Sequence, residues 1–478
     1  MSGRALKTLL VANRGEAAVR VLRTARAMGM RTAVIFAGAD RGAPHAEAAD
    51  EAHEVPSYLD LPAILAAAKA AKADAIHPGW GFLSQNPRFP EACDAAGIAF
   101  VGPPAAAMRR MGDKHAARET AISAGVPVVP GSGLVADEAA ALAAARRIGL
   151  PVMVKAAGGG GGKGLRRIAR EEDLAAGIAA ARREADAAFG DGRLFVEKLV
   201  APARHVEIQV LGDAHGTVLS LGERDCTLQR RFQKIVEEAP SPAVDAGLRA
   251  RMGDAAVRLA RAAGYVNAGT VEFLLQPDGT FYFMEMNTRL QVEHPVTEAV
   301  LGIDLVRLQL EVARGDALAL RPGPPRGHAL EARIYAEDPD AGFLPMSGRV
   351  LSAAWPEGVR VEHAVRDGMV VTPDFDPMLA KIVAHGSDRE EARRRLVDAL
   401  RATALLGVQT NVSWLLRLLE TRAFRDGDLA VGTIPEVPPE ELPLAVWAAA
   451  VAPRCNASAE LTRYTTLWER PGRWRIGE

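Results

Sequence analysis

Cysteine is scarce in this chain: its 478 residues include 3, Cys93, Cys226 and Cys455, odd in number and far apart. That spacing excludes a disulfide framework and a zinc-ligand pattern, and a reducing, cytoplasmic setting is expected. Charge of one sign is equally lacking. With 58 basic and 59 acidic side chains the formal net charge is -1 at pH 7. No global field therefore draws in nucleic acid or an anionic membrane, and any anion site has to be built locally. Long apolar runs are missing too. The run within Met1 to Ala12 is cut by Asn13-Arg14-Gly15-Glu16, too early for a signal peptide or a membrane span. What is there is the balance of a globular protein, 49% hydrophobic and 24% charged. Its length suits roughly two to four domains.

The pattern predicts a multidomain chain of α/β and α+β units. Over 1–113, the apolar run Thr8 to Ala12 is followed by a helix with Ala18, Val21, Leu22, Ala25 and Met28 on one face, then by Thr32 to Phe36. A helix from Asp60, with Pro62 in its first turn, leads to Ala75-Ile76, and another near Glu91 to Ala96 leads to Ile98 to Val101. Strand and helix in alternation indicate a doubly wound α/β domain with ligand-facing loops at its strand ends.

The stretch 114–320 reads as an α+β unit of antiparallel character. Helices end at Gly125 and span Asp137 to Gly149, and the strand Val152 to Lys155 runs into Gly158 to Gly162. His205 to Leu211 alternates Val206, Ile208 and Val210 with His205, Glu207 and Gln209, a strand with one buried and one polar face. Thr270 to Leu275 and Phe281 to Asn287 flank Pro277-Asp278-Gly279, a hairpin signal. Arg321 to Gly327 reads as a linker before a third, C-terminal mixed α/β unit, 328–436, with short strands and a helix from Arg389 to Thr403. Pro435 to Pro443 reads as a second linker, leaving 437–478 as an extension.

Three segments carry chemistry. Gly158 to Gly162 with Lys163-Gly164 offers unhindered backbone N–H groups beside the ammonium groups of Lys155 and Lys163, which suits nucleotide phosphates. It is not a Walker motif: Ala157 stands at the leading glycine and Gly164 at the Ser/Thr. On Phe281 to Asn287 the period of two puts Glu285 and Asn287 on one face, where the hairpin can bring Glu272 alongside. Two carboxylates and an amide oxygen make a hard-oxygen site for magnesium, while a solvated sheet face is the plainer reading. Arg289 to Pro295 then packs a cation, an acid and an imidazole into one loop, where Arg289 could hold an anion and Glu293 remove its proton. His294 reads as structural. Arg224, Arg230, Arg231 and Lys234 form a basic segment, either surface charge or an anion-facing loop.

In this order the segments resemble the biotin carboxylase family of the ATP-grasp superfamily, over about Lys7 to Ile434. The resemblance is carried by Ala12-Asn13-Arg14-Gly15-Glu16, His77-Pro78-Gly79, Met111-Gly112-Asp113-Lys114, Lys155 with the glycine loop, Arg204 to Val210, Gln229-Arg230-Arg231, Glu237 to Pro240, Glu285-Met286-Asn287 and Arg289 to His294. It implies an N-terminal biotin carboxylase domain, a central ATP-grasp domain and a C-terminal domain.

It further implies that ATP is bound by Lys114, Lys155, Glu197, Lys198, His205, Gln229 and a lid containing Gly160, Gly161, Gly162, Lys163 and Gly164. Mg2+ or Mn2+ falls to Glu272, Glu285 and Asn287. Glu293 becomes the base for bicarbonate. Arg289, Gln291, Val292 and Lys234 face bicarbonate and the carboxyphosphate made from it, and Arg333 the biotin ureido oxygen. The implied partners are a biotin carboxyl carrier protein or domain, a carboxyltransferase subunit and a second copy of the chain, with Arg20 as a contact between copies. The implied setting is an acyl-CoA carboxylase of fatty acid metabolism.

The chain departs from the family pattern at Trp80, where tyrosine is usual, and at Gln85, where glutamate is usual. Phe232 stands where a polar residue follows the two arginines, and Asp374-Phe375 where two tyrosines are common. It contains no Met-Lys-Met, the usual biotin attachment sequence, so biotin is expected from elsewhere. The tail, with Trp468 and Trp474-Arg475, resembles the start of the next region in longer acyl-CoA carboxylase α chains, so a truncated or separately encoded module is expected. Two other readings stay open: a different ATP-grasp carboxylate ligase, and a non-catalytic homologue acting as a subunit scaffold.

Overall fold

The structure is a computed structural model describing residues 5–135, 137–157, 165–230 and 233–437. The described residues up to 436 make one compact unit. The expected extension, with its tryptophans, lies outside the described residues.

The expected doubly wound start is present. Strands β1 (Thr8–Val11), β2 (Arg31–Phe36), β3 (Glu51–Glu54), β4 (Ala75–His77) and β5 (Ala99–Phe100) form a parallel sheet in the order β3-β2-β1-β4-β5. The order reverses between β1 and β4, which opens a crevice at their carboxyl ends. Asn13 beyond β1 spans it, its Nδ2 donating to the carbonyl oxygens of Pro78 at 2.7 Å and Trp80 at 2.8 Å. Gly79 is required there: its φ is +61°, and a Cβ would come within 2.6 Å of Asn13 Nδ2.

A smaller antiparallel sheet, β7-β6-β8, consists of β6 (Val152–Ala156), β7 (Leu165–Ile168) and β8 (Leu194–Lys198). Its apolar face, with Val152, Val154 and Ile168, packs on Ala141, Ala145, Ile178 and Ala185 of helices Glu138–Ile148 and Leu174–Phe189.

The large sheet has eight antiparallel strands. The first seven in chain order are β9 (Arg204–Gly212), β10 (Val218–Arg230), β11 (Gln233–Ala239), β12 (Asn267–Leu275), β13 (Phe281–Asn287), β14 (His328–Tyr335) and strand Arg360–His363, and the eighth is strand Met378–Gly386. Spatially they run β13-β12-β9-β10-β11-β14, then Met378–Gly386 and Arg360–His363. The third expected region, with short strands and a helix at Arg389–Ala402, is present and shares this sheet. Val236 pairs with Ala332 and Glu237 with Glu331, so the strands beyond the Arg321–Gly327 segment extend the sheet of the middle region. The β12–β13 hairpin forms as expected, closed by Gln276 N–H donating to the Thr280 carbonyl oxygen at 2.8 Å.

Strand β9 corrects an expectation. Val206, Ile208 and Val210 pack under helix Ala246–Ala262, as their alternation requires. The opposite face is also buried, however: His205 is 6% exposed, and Glu207 and Gln209 are fully enclosed. Charges cross-pair on that face, which lets it leave water. Among the described residues no helix is long and apolar enough to cross a membrane.

Helix α1 (Gly15–Ala27) keys the N-terminal sheet to the large one. Arg20, expected as a contact between copies, is 2% exposed within a single chain and donates to Glu298 Oε1 at 2.7 Å and Asp304 Oδ1 at 2.9 Å. Glu16 is also buried, with neither oxygen hydrogen-bonded and Lys381 Nζ 3.6 Å away. Burial pushes the Glu16 carboxyl up to about 7, against the pull of Lys381. A raised carboxyl adds stability that is full below its unfolded value of 4.5 and is lost as pH rises through about 7. Over that window the native protein is expected to lose about 3 kcal/mol relative to Glu16→Gln, as measured by urea unfolding at each pH. A difference between the two proteins that stays constant with pH would contradict this.

Candidate active site

The register of the large sheet lines up acidic side chains. Glu285 on β13 pairs with Glu272 on β12, Glu272 with Glu207 on β9, and Glu207 with Arg224 on β10. Directly paired residues share a face, so three carboxylates and one guanidinium form a row across four strands. The hairpin does bring Glu272 to Glu285. Arg224, read from sequence as surface or loop charge, is fully buried: its Nε donates to Glu207 Oε1 at 2.5 Å, and its other nitrogens to Gln209, Thr297 and Thr270 at 2.8 to 3.0 Å.

Lys234 on β11 closes this row against the loop that follows β13. Its Nζ lies 2.6 Å from Glu207 Oε2, 2.8 Å from Glu272 Oε1 and 2.7 Å from Glu293 Oε1. Burial lowers the pKa of this ammonium, but the three carboxylates outweigh it and hold the pKa well above the ordinary lysine value. The same carboxylates, with His205 or Cys226, come close enough to hold a metal ion. The Lys234 ammonium already lies among them, with Arg224 and Arg333 adding positive charge at Glu207 and Glu293.

Glu293 is fully enclosed, and its second oxygen accepts from Arg333 at 2.9 Å. Burial would raise its pKa, but Lys234, Arg333 and Arg224 hold it well below the usual carboxylate range. Arg333 in turn donates from Nε to Glu237 Oε1 at 2.6 Å. Arg289 donates to Gln291 Oε1 at 2.7 Å and Asn287 Oδ1 at 3.3 Å, and Gln291 to Glu272 Oε1 at 3.2 Å. Thus Glu293, Arg289, Arg333, Lys234 and Gln291 gather at one end of the acidic row.

At the other end, Glu285 is pushed up by burial and by Glu272, the mark of two carboxylates held together without enough positive charge. A hard cation between them would relieve that repulsion, and Asn287, whose Nδ2 donates to Glu272 Oε1 at 2.9 Å, adds an amide oxygen. These three residues fit a magnesium ion. Gln85 Nε2 also reaches Asn287 Oδ1, at 3.3 Å.

The expected nucleotide residues divide. Lys155 pairs with Glu197 Oε2 at 2.5 Å, facing Arg118 at 3.5 Å on the other oxygen. Lys114, at the start of helix Lys114–Ser123, is lowered by burial while Glu285 raises it and Lys155 lowers it further, which places it between these groups. His205 and Gln229 instead join the acidic row. Gln229 Nε2 donates to His205 Nδ1 at 2.7 Å, which leaves the Nε2 proton toward Glu272 at 3.2 Å. Lys198 turns away, its Nζ donating to the carbonyl oxygens of Gly149 and Leu150 at 3.0 and 2.9 Å. Gly160, Gly161, Gly162, Lys163, Gly164 and Phe232 lie outside the described residues.

The same order of parts recurs in known proteins. Residues 5–108 match the biotin carboxylase N-terminal domain, 113–321 the ATP-binding domain of the carbamoyl-phosphate synthase L chain, and 331–436 the biotin carboxylase C-terminal domain. Biotin carboxylase 2 of Bacillus subtilis is 47% identical over 432 residues, covering 88% of this chain and 97% of the relative. The chain belongs to the biotin carboxylase family.

Some relatives are longer. Methylcrotonoyl-CoA carboxylase subunit alpha of Dictyostelium discoideum is 48% identical over 439 residues, 89% of this chain, but this chain spans only 63% of that subunit. The biotin carboxylase domain dimer of 2-oxoglutarate carboxylase from Hydrogenobacter thermophilus was solved with MgADP, ADP and bicarbonate. It superposes with a TM-score of 0.87 at 41% identity, covering 89% of this chain and 96% of that one.

Sequence reasoning assigned no role to Glu207 or Glu237 and read Arg224 only as surface charge or an anion-facing loop. The alternation that exposed Glu207 as a polar position was legible. Its partner Arg224 was not, because bulges in β10 shift the register between Ser220 and Glu223. Arg224→Met is expected to lower the unfolding free energy by roughly 3–5 kcal/mol by leaving the buried Glu207 Oε1 without its guanidinium beside Glu293. Adding Glu207→Gln should recover part of the loss in urea titrations, whereas strictly additive losses would contradict the pairing.

Proposed function

We propose that this carboxylase uses ATP and bicarbonate to carboxylate biotin presented by a carrier protein or domain. The observation that carries the reading is Glu293 enclosed between Lys234 and Arg333, with Arg289 in the same loop and, beside them, a carboxylate pair suited to magnesium on β12 and β13. A base between cations, beside a metal-binding acid pair, is what deprotonation and phosphorylation of a small oxyanion require.

Bicarbonate enters beside Arg289, Gln291 and the Val292 backbone, and Glu293 accepts its proton. An oxygen of the resulting dianion attacks the γ-phosphorus of ATP and ADP leaves, giving carboxyphosphate. Lys234 and Arg289 hold this anion until it splits to carbon dioxide and phosphate. Phosphate takes the ureido N–H proton of biotin, Arg333 stabilises the enolate oxygen, and the nitrogen captures carbon dioxide. An anion that shares Lys234 and Arg333 weakens their hold on Glu293, so its basicity rises when substrate is bound. Magnesium at Glu272, Glu285 and Asn287 offsets the charge of the nucleotide phosphates when bound. Lys114, Lys155, Glu197, Lys198, His205, Gln229 and the lid Gly160, Gly161, Gly162, Lys163 and Gly164 surround ATP in this reading, with His205 and Gln229 acting from the acidic row and Lys198 through its backbone.

The reading also assigns domains at 1–113, 114–320 and 328–436, with 437–478 as an extension toward a carrier or transferase region. It makes the partners a biotin carrier, a carboxyltransferase and a second copy, in the cytoplasm. ADP release from the purified protein with magnesium-ATP and free biotin tests it. Release is expected to require bicarbonate and rise with biotin, and Glu293→Gln to lower it roughly 100-fold or more while magnesium-ATP still binds. Release indifferent to bicarbonate, or untouched by Glu293→Gln, would refute the assignment.

A further inference from the structure

Two buried side chains hold the peptide groups that precede Glu293. The His294 ring places Nδ1 2.7 Å from the Gln291 carbonyl oxygen, and Lys381 places Nζ 2.7 Å from the Val292 carbonyl oxygen. Both side chains are fully enclosed. Arg20 sets the imidazole tautomer: its Nε–H lies 3.2 Å from His294 Nε2. A guanidinium only donates, so Nε2 accepts and Nδ1 carries the proton toward Gln291. Burial, with Lys381, Arg20 and Arg360 nearby, keeps that ring neutral. Trp80, the departure from the family's usual tyrosine, covers both: its ring lies 5.7 Å from that of His294 and 4.7 Å from Lys381 Nζ.

In a trans peptide the N–H points opposite to the C=O. Holding the Gln291 and Val292 carbonyls from one side therefore turns the Val292 and Glu293 N–H groups to the other. Among the described residues neither N–H donates to a protein acceptor. Two successive N–H groups without a protein partner, next to a carboxylate and two cations, are a cradle for an anion.

We infer that His294 and Lys381 are positioning residues for bicarbonate, locking the Gln291–Glu293 backbone so that its N–H groups and the base meet the anion together. This rests on the carboxylase reading and adds residues that touch no reactant themselves. Arg20 and Trp80 act one step further out, through the tautomer of His294 and the packing over Lys381.

The test separates one hydrogen bond from general structure. His294→Asn sets an amide N–H where Nδ1 stands, whereas His294→Gln sets it nearer Nε2, and Lys381→Met removes the donor at similar length. Kinetics of bicarbonate-dependent ADP release, magnesium-ATP affinity by calorimetry and Tm are measured together. His294→Gln and Lys381→Met are expected to raise the bicarbonate KM about tenfold, the scale of one hydrogen bond, with magnesium-ATP affinity unchanged, while His294→Asn stays near the unmodified protein. Equal bicarbonate KM in the two His294 variants, or KM unmoved in Lys381→Met, would overturn the inference in an enzyme that is otherwise active. If Lys381→Met does not fold, the His294 pair decides alone. Absence of bicarbonate-dependent ADP release from the unmodified protein would instead overturn the carboxylase reading, and the inference with it.

Discussion

Lys234 is the interaction on which the rest of the site depends. One half-buried ammonium lies within 2.8 Å of Glu207, Glu272 and Glu293, which come from β9, β12 and the loop after β13. Without it, three enclosed carboxylates would face one another at a cost of several kcal/mol per charge. With it, the sheet can carry acids in its interior, and the loop from Arg289 to Glu293 is drawn down onto the sheet.

That requirement explains the continuity of the large sheet. The cations that balance the acids come from beyond the Arg321–Gly327 segment as well as from the middle region: Arg333 on β14 reaches Glu293 and Glu237, and Lys381 on the next strand reaches Val292. A base supplied by one region is thus charged and oriented by another. The sheet is the frame that makes this possible, since β11 pairs directly with β14. Helix α1 adds a third contribution through Arg20, which touches both His294 and Glu298.

The local signals were legible where periodicity and turn chemistry act alone. The β12–β13 hairpin, helix Leu61–Ala70 with Asp60 as its cap, and the pairing of Glu272 with Glu285 all follow from side-chain period and a Pro-Asp-Gly turn. Burial of the polar face of β9 was not legible, because it depends on Lys234 and Arg224 arriving from other strands. The shared sheet was hidden for the same reason: a proline- and glycine-rich segment reads as a boundary whether or not the strands beyond it rejoin their predecessors. Lys198 shows the reverse limit, a lysine in a family motif whose ammonium is held by the carbonyls of Gly149 and Leu150.

The central claim is that this constellation joins bicarbonate carbon to biotin at the expense of ATP. It is tested most directly by following isotopically labelled bicarbonate into biotin, with and without magnesium-ATP, and identifying the product by mass. The account predicts labelled carboxybiotin only when magnesium-ATP is present, formed in step with ADP. ADP formed at the same rate with no label on biotin would contradict it.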